Sequence, residues 1–393
     1  MDRRLLVLAL GMFALGTDSF VVAGILPQLS QTFGVGIGAA GQMTTVYAIT
    51  YALLAPTIAA LAAGVARKRL LLSGLGLFVV ANLATAVAPS FGLALLTRML
   101  AGLGAAMFSP TATGAGSMLV VPERRGYALS IIVAGLTAAT ALGSPIGAVI
   151  GGVGDWRWTM VFVSALGAGS FLGVWRLLPA MPLPPAIGLR KRLAPLADRR
   201  VGLTLATTLL AMSGLFTVYT YFAVVFERAV GGSAAVLGLL LVIWGAAGTL
   251  SNLVAGRLID TIGSRKVLVT MLTILVADIA LLPWTGANVW TAAVAIAVWG
   301  GCGWGLLVPQ QHRLVTLAPS VAPVLLGLNT AATYIGVSVA GLIGAGTIQL
   351  LGVGDVGFVA ATLLAAALIV SELATRHIAL GAANPARASG APA

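Results

Sequence analysis

Thr137-Ala-Ala-Thr-Ala-Leu-Gly143 returns 193 positions later as Thr330-Ala-Ala-Thr-Tyr-Ile-Gly336. A second pair repeats its own spacing at a displacement of 199: Gly102-Leu-Gly104 is followed by Pro110, and Gly301-Cys-Gly303 by Pro309. In a chain with 50 glycines either match alone carries little. Two matches in corresponding segments at nearly one displacement mark an internal duplication, so the chain reads as two related halves.

Both repeats sit inside apolar runs long enough to cross a bilayer, which takes about 20 residues. Twelve such runs can be placed: Leu5–Leu29, Ala39–Ala63, Leu70–Ala88, Gly92–Val120, Tyr127–Gly152, Trp158–Leu178, Gly202–Phe226, Ala235–Ile259, Val267–Trp284, Val289–Pro309, Val324–Leu350 and Val356–Ala374. The first repeated pair falls in runs five and eleven, the second in runs four and ten. Composition agrees, with 59% hydrophobic and 8% charged residues and a mean hydropathy of +1.06. Soluble domains carry about 25% charged residues, and so few charges cannot cover a water-facing surface. The expected fold is an all-α membrane protein of twelve transmembrane helices in two pseudo-symmetric six-helix bundles.

Met1-Asp-Arg-Arg4 ahead of an apolar run looks like a secretory leader, but the run continues past Asp18 to Leu29. That exceeds the roughly 7–15 apolar residues of a leader, so it reads as an uncleaved first helix. The organisation expected is an N-terminal bundle over 1–178, a linker over 179–201 that is Pro-rich and then basic, a C-terminal bundle over 202–376, and a disordered tail over 377–393.

Of the 22 Lys and Arg residues, all but Arg98, Arg157 and Arg228 fall in loops or termini on one side of the membrane. The positive-inside rule makes that side cytoplasmic, and an even helix count puts both termini there. The net charge of +12 is thus topological information rather than a nucleic-acid footprint. A bacterial inner-membrane location is expected. Cys302 alone forms no internal disulfide, and His312 and His377 lie far apart, so no metal site or cofactor is expected. Gly352-Val-Gly-Asp-Val-Gly357 fits a dinucleotide fingerprint only in letters, since it occupies a short turn with no preceding strand. No P-loop, HExxH or GxSxG is present, and the chain is not expected to be an enzyme.

Between runs eight and nine stands Gly256-Arg-Leu-Ile-Asp260-Thr-Ile-Gly263-Ser-Arg265-Lys266. Its Asp260, at a helix end, is suited to pair with basic residues or to face a neighbouring helix N-terminus. The equivalent first-half loop, Ala63-Gly-Val-Ala-Arg67-Lys68-Arg69, keeps the basic cluster without the Asp. Run four opens with Arg98-Met-Leu-Ala-Gly102-Leu-Gly104, and run five contains Gly143-Ser-Pro145-Ile-Gly147-Ala-Val-Ile-Gly151-Gly152. These segments resemble signatures of the major facilitator superfamily. The run-five segment is similar to the one associated with antiporters. Phe216-Thr-Val-Tyr219-Thr-Tyr221, Asn252 and Leu328-Asn329 resemble the twelve-helix drug/proton antiporter branch, with the arabinose-efflux and chloramphenicol-exporter group nearest. The resemblance covers about Leu5 to Ala374. It implies a proton-coupled exporter of a small amphipathic, drug-like molecule; a sugar or metabolite transporter of the same fold is the alternative. The loop motif and Gly143, Pro145 and Gly147 become elements of conformational change. The partners implied are a small-molecule substrate, protons and the lipid bilayer, with no nucleic acid, and the chain is expected to work as a monomer.

Asp18, Arg98 and Asp278 are ionisable residues that lie within runs, away from the run ends. Asp18 is near the middle of the first, where a bare charge costs at least ~2.5–3.5 kcal/mol. That cost suits a carboxyl that takes up and releases a proton, which makes Asp18 a proton-coupling candidate; Arg98, in run four, is a second, suited to relay charge or bind substrate, with a structural hydrogen-bond role as its other reading. The other reading of Asp18 is a neutral carboxyl bonded to Thr17, Ser19 or a neighbouring helix. Asp278, in run nine, is as open to a structural as to a functional role. Tyr47 and Tyr51, spaced i, i+4 on one helix face, together with Tyr219, Trp304, Asn329 and Tyr334, are the substrate-binding candidates. Packing or interfacial anchoring is the competing reading for each.

Overall fold

Twelve long helices follow one another nearly where the apolar runs place them, and ten of them, all but the second and ninth, are long and apolar enough to cross a membrane. In the computed structural model, which describes residues 2–121, 124–181 and 188–383, the twelve are α1 (Arg3–Phe33), α2 (Ile37–Leu61), α3 (Arg67–Ala86), α4 (Phe91–Met118), α5 (Arg125–Val153), α6 (Trp156–Leu177), α7 (Arg199–Tyr219), α8 (Ala234–Ile262), α9 (Ser264–Ala280), α10 (Val289–Leu317), α11 (Ala322–Leu350) and α12 (Val356–Ala383). No strand occurs among the described residues. The connecting residues 182–187 and the tail from 384 onwards lie outside them.

Short polar residues set the helix starts. Asp2, Ser90, Asp155, Asp198, Ser233 and Asn288 each accept a hydrogen bond from a first-turn amide of the helix that follows, which satisfies an otherwise orphaned donor. Outside the membrane, the Arg200 guanidinium beside Asp198 holds its carboxyl below the usual carboxylate range. Several run boundaries shift: the seventh run ends as a helix at Tyr219 and resumes as Phe222–Val225, and the tenth continues past Pro309 to Leu317. The ninth run breaks at Leu281 and resumes as Leu282–Thr285, because Pro283 has no N–H to return to the preceding turn. The last helix runs through Arg376 and His377 to Ala383, past the end expected at 376, since the Ala-rich sequence there favours helix.

Two large apolar cores divide the molecule, and a smaller third lies among α7, α10 and α11 around Leu205, Leu314 and Leu325. Of the large two, one is built almost wholly from α1–α6, around Phe78, Phe108 and Trp156; the other from α7–α12, around Trp244, Trp299 and Leu275. Phe20, Ala23, Ala48 and Ala148 cross into the second core and Tyr221 into the first, so the bundles are stitched through α1, α2, α5 and the chain just after α7.

The stitching is one-sided. Gln42, in the first turns of α2, donates to the Gly341 carbonyl at 3.3 Å, and Tyr221 donates to the same oxygen at 2.7 Å. On the opposite flank, α5 bulges into a π-turn over Ala139–Gly143, two residues before Pro145, which cannot donate to the preceding turn. The bulge meets Gly245 of α8, where a Cβ would collide with the Thr140 carbonyl. Among the described residues, every hydrogen bond between the bundles lies at mid-depth or toward the end away from the basic loops. The bundles are therefore joined at that end.

Candidate functional site

Helix α1 carries a polar triplet, Thr17-Asp18-Ser19, in an otherwise apolar span. The Thr17 and Ser19 hydroxyls donate back to the Phe13 and Leu15 carbonyls at 2.8 and 2.9 Å, the self-satisfying bond that small hydroxyl residues make on a helix. Asp18 has no such option and pairs outward. Arg98 of α4 donates from Nη1 to Asp18 Oδ1 at 2.6 Å and to Asn82 Oδ1 of α3 at 3.1 Å, and from Nη2 to the Asp18 carbonyl at 3.4 Å. Neither side chain of the pair has exposed surface. Asp18 Oδ2 and Arg98 Nε are buried without a hydrogen-bond partner. A buried carboxylate with half its acceptors unused holds a charge at a cost that only its partner offsets.

Tyr47 ties this pair to a cavity. The Arg98 guanidinium lies 4.8 Å from the centre of the Tyr47 ring, within cation–π range, and Tyr47 also lines a cavity of about 130 Å³ between the bundles. The walls are aromatic: Phe20, Tyr47, Phe216, Trp304 and Tyr334. The polar groups are neutral and few, among them Ser19, Thr44, Gln311, Asn329 and Thr333, and no charged side chain lines it. Gln311 and Thr330, on the segments of α10 and α11 nearest the basic loops, are exposed, so the cavity opens toward that end. Such a site fits a small uncharged molecule with an apolar body and a few hydrogen-bonding groups.

The expected binding residues separate into two groups. Tyr47, Trp304, Asn329 and Tyr334 line the cavity. Tyr51 stands beside it, its ring 4.1 Å from that of Tyr334 across the bundle boundary and its hydroxyl bonded to Ser109. Tyr219 lies instead in a sealed aromatic cluster with Phe20, Phe216, Trp244 and Trp299, its hydroxyl donating to the Phe20 carbonyl at 3.1 Å. Phe20, Thr44 and, beyond its place in the α7 segment, Phe216 are not marked as cavity residues by the sequence, because aromatics and threonines are common in membrane helices for packing alone. Arg313, counted with the loops, is buried; it donates to the Ser371 hydroxyl at 3.0 Å and to Thr375, both on α12.

The conformational motifs are placed as follows. Gly143 and Gly147 face Thr17 and Val21 of α1, on either side of Pro145, so the antiporter-like segment packs on the helix that carries Asp18. In the α8–α9 connection, Gly256 is exposed and Gly263 has φ +85°, a conformation that favours glycine. Asp260 is exposed in the last turn of α8, and no ion pair holds it among the described residues. The pair at this loop is Arg265 with Glu372 of α12, at 2.5 Å; Lys266, next to it, shares no ion pair among the described residues. In the first-half loop, where the Asp is absent, Lys68 donates to the Trp175 and Leu178 carbonyls at 2.9 and 2.6 Å. It thereby caps the C-terminus of α6, where a cation is favoured. Asp278 lies away from the cavity, half-buried on α9 with Oδ2 unpartnered.

The family model described as "Major Facilitator Superfamily" matches residues 8–341. The chain is 27% identical over 370 residues to the uncharacterized MFS-type transporter YbcL of Bacillus subtilis, covering 94% of this chain and 95% of that one. It is 29% identical over 362 residues to a probable sugar efflux transporter of Helicobacter acinonychis, covering 92% of each. It is 27% identical over 332 residues to the inner membrane transport protein YdhP of Escherichia coli K12, covering 84% of this chain and 85% of that one. The crystal structure of the nucleoside transporter NupG superposes with a TM-score of 0.77 at 11% identity, covering 94% of this chain and 98% of that one, a likeness of fold.

Proposed function

The chain belongs to the Major Facilitator Superfamily and is a membrane transporter, and from that premise we propose that it exports a small, uncharged, amphipathic molecule in exchange for protons. The observation that carries this reading is the buried Asp18–Arg98 pair, with Asp18 Oδ2 unpartnered, one residue from the cavity wall at Ser19 and sharing Tyr47 with it.

With the basic loops cytoplasmic, the bundles are joined on the outer side and the cavity opens inward, ready to load. Alternating access then requires the Gln42–Gly341–Tyr221 contacts and the Thr140–Gly245 seam to part while the inner ends close. Asp18 is the proton carrier in this scheme. A proton arriving at Oδ2 from outside removes the charge that fixes Arg98, and the guanidinium shifts its weight onto Asn82 and the Tyr47 face. Because Tyr47 is cavity wall, that shift favours release of the substrate. Loss of the proton to the inside restores the ion pair and permits reloading.

The test is a broad susceptibility and accumulation panel in cells with and without the protein, repeated with an uncoupler. Export predicts that uncoupling raises cell content of the substrate only where the protein is present; an uncoupler that lowers it points to uptake and contradicts the reading.

A second reading, export of a sugar, is favoured by the relatives named probable sugar efflux transporters and by aromatic walls that also stack on sugar rings. Sugars in the panel decide between the two.

A further inference from the structure

Three residues from three helices form a chain of hydrogen bonds behind the cavity wall. Gln310 of α10 donates from Nε2 to the Thr204 carbonyl at 3.0 Å and to the Thr208 hydroxyl at 3.2 Å, both on α7. Thr208 donates to Asn329 Oδ1 of α11 at 2.8 Å. All three side chains are buried.

The polarity of this chain can be read from its fixed end. A backbone carbonyl only accepts, so the Gln310 atom facing Thr204 must be the amide nitrogen. The same nitrogen faces Thr208, whose oxygen therefore accepts. Thr208 has one proton, and the acceptor it reaches is Asn329 Oδ1. With its oxygen engaged from behind, Asn329 is left with Nδ2, which bonds to no other described residue, and Asn329 lines the cavity. The amide thus turns its two N–H donors toward whatever occupies the space, while its oxygen is held from behind by Thr208.

We propose that Asn329 binds its ligand only as a hydrogen-bond donor, so that the transported molecule carries a neutral oxygen acceptor on an apolar body. Thr208 and Gln310 are positioning residues that set this polarity. The proposal rests on the reading of the cavity as the transport site. It adds which hydrogen-bonding partner that site selects: carbonyl or ether oxygens are favoured, and an isosteric group without an acceptor is disfavoured because a buried donor is then left unpaired.

The experiment uses purified full-length protein and two probes small enough for the cavity, 4-fluoroacetophenone and 4-fluoro-α-methylstyrene, which differ in C=O against C=CH2. Binding of each is titrated by fluorine NMR, and the ratio of the two affinities is compared between proteins, which cancels partition into detergent. Relative to Asn329→Leu, the wild type should favour the ketone by roughly two- to twelvefold, the range a net hydrogen bond is worth. Thr208→Val should lose most of that preference although Asn329 is present, Thr208→Ser should keep it, and both should hold the alkene as the wild type does. An unchanged ratio in Asn329→Leu overturns the proposal, as does an Asn329→Leu protein that binds neither probe, which makes the residue part of the scaffold. If the wild type itself binds neither, the cavity is not the site and the underlying reading falls with the inference.

Discussion

Asp18 and Arg98 stand 2.6 Å apart between α1 and α4 with no exposed surface on either side chain. Breaking a buried pair by deleting one member leaves an uncompensated charge and costs about 3–5 kcal/mol, while replacing both with apolar residues is often near neutral. Arg98→Leu should therefore lower the thermal stability of the purified protein strongly, and Asp18→Leu combined with Arg98→Leu should recover most of the loss. Additive losses in the double variant would show that the two residues act independently.

Tyr334 lines the cavity and stacks on Tyr51 at 4.1 Å. An aromatic pair is worth about 0.5–1.5 kcal/mol beyond its buried area, which corresponds to roughly two- to twelvefold in affinity. Tyr334→Ala should raise the KM for export by at least that range, and Tyr334→Phe should leave it nearly unchanged. Initial rates of efflux against substrate concentration provide the measurement.

Gly245 packs so closely on the π-turn of α5 that a side chain there would meet the Thr140 carbonyl. Gly245→Leu should wedge the bundles apart at the end away from the basic loops. Spin labels at Trp158 and Trp290, exposed at that end on α6 and α10, should report a longer distance than in the parent protein, and transport should fall with it. An unchanged distance would remove the seam from the account.

The loop between α8 and α9 makes a milder prediction. Arg265 and Glu372 are partly exposed, at 62% and 31%, so solvent screening keeps the pair's contribution to stability small. Arg265→Ala should cost little in denaturant unfolding, and Asp260→Asn, with no ion-paired partner to lose, should cost nothing measurable. A larger loss at Asp260 would place it in a contact formed in another conformation.

The twelve helices were legible because bilayer length and the scarcity of charge leave few alternatives, and the halves because their repeats survive at two places. Asp18 and Arg98 were each conspicuous alone, since an ionisable residue in a membrane span demands a partner. Their mutual pairing was not legible, because only the packing of α1 against α4 brings residues 80 positions apart together. Tyr219 looked like a cavity residue by its helix, but its direction around that helix turns it into the sealed aromatic cluster. The reverse holds for Phe20, which resembles any lipid-facing aromatic in the sequence and yet lies beside four other rings at the bundle boundary. In the loop motif, Asp260 was suited to pair with basic residues or to face a helix N-terminus, whereas the ion pair at this loop joins Arg265 to a residue more than a hundred positions away, which spacing in the sequence does not reveal.

In the proposed exchange cycle Asp18 carries the proton. Everted membrane vesicles with an acidified lumen, followed with a pH-sensitive dye, test it when a compound exported by the wild type is added outside. The wild type should dissipate part of the gradient on each addition. Asp18→Asn, whose amide still accepts from Arg98, should insert in the membrane and bind the compound but leave the gradient untouched. Proton flux in the Asp18→Asn vesicles equal to that of the wild type would contradict the claim.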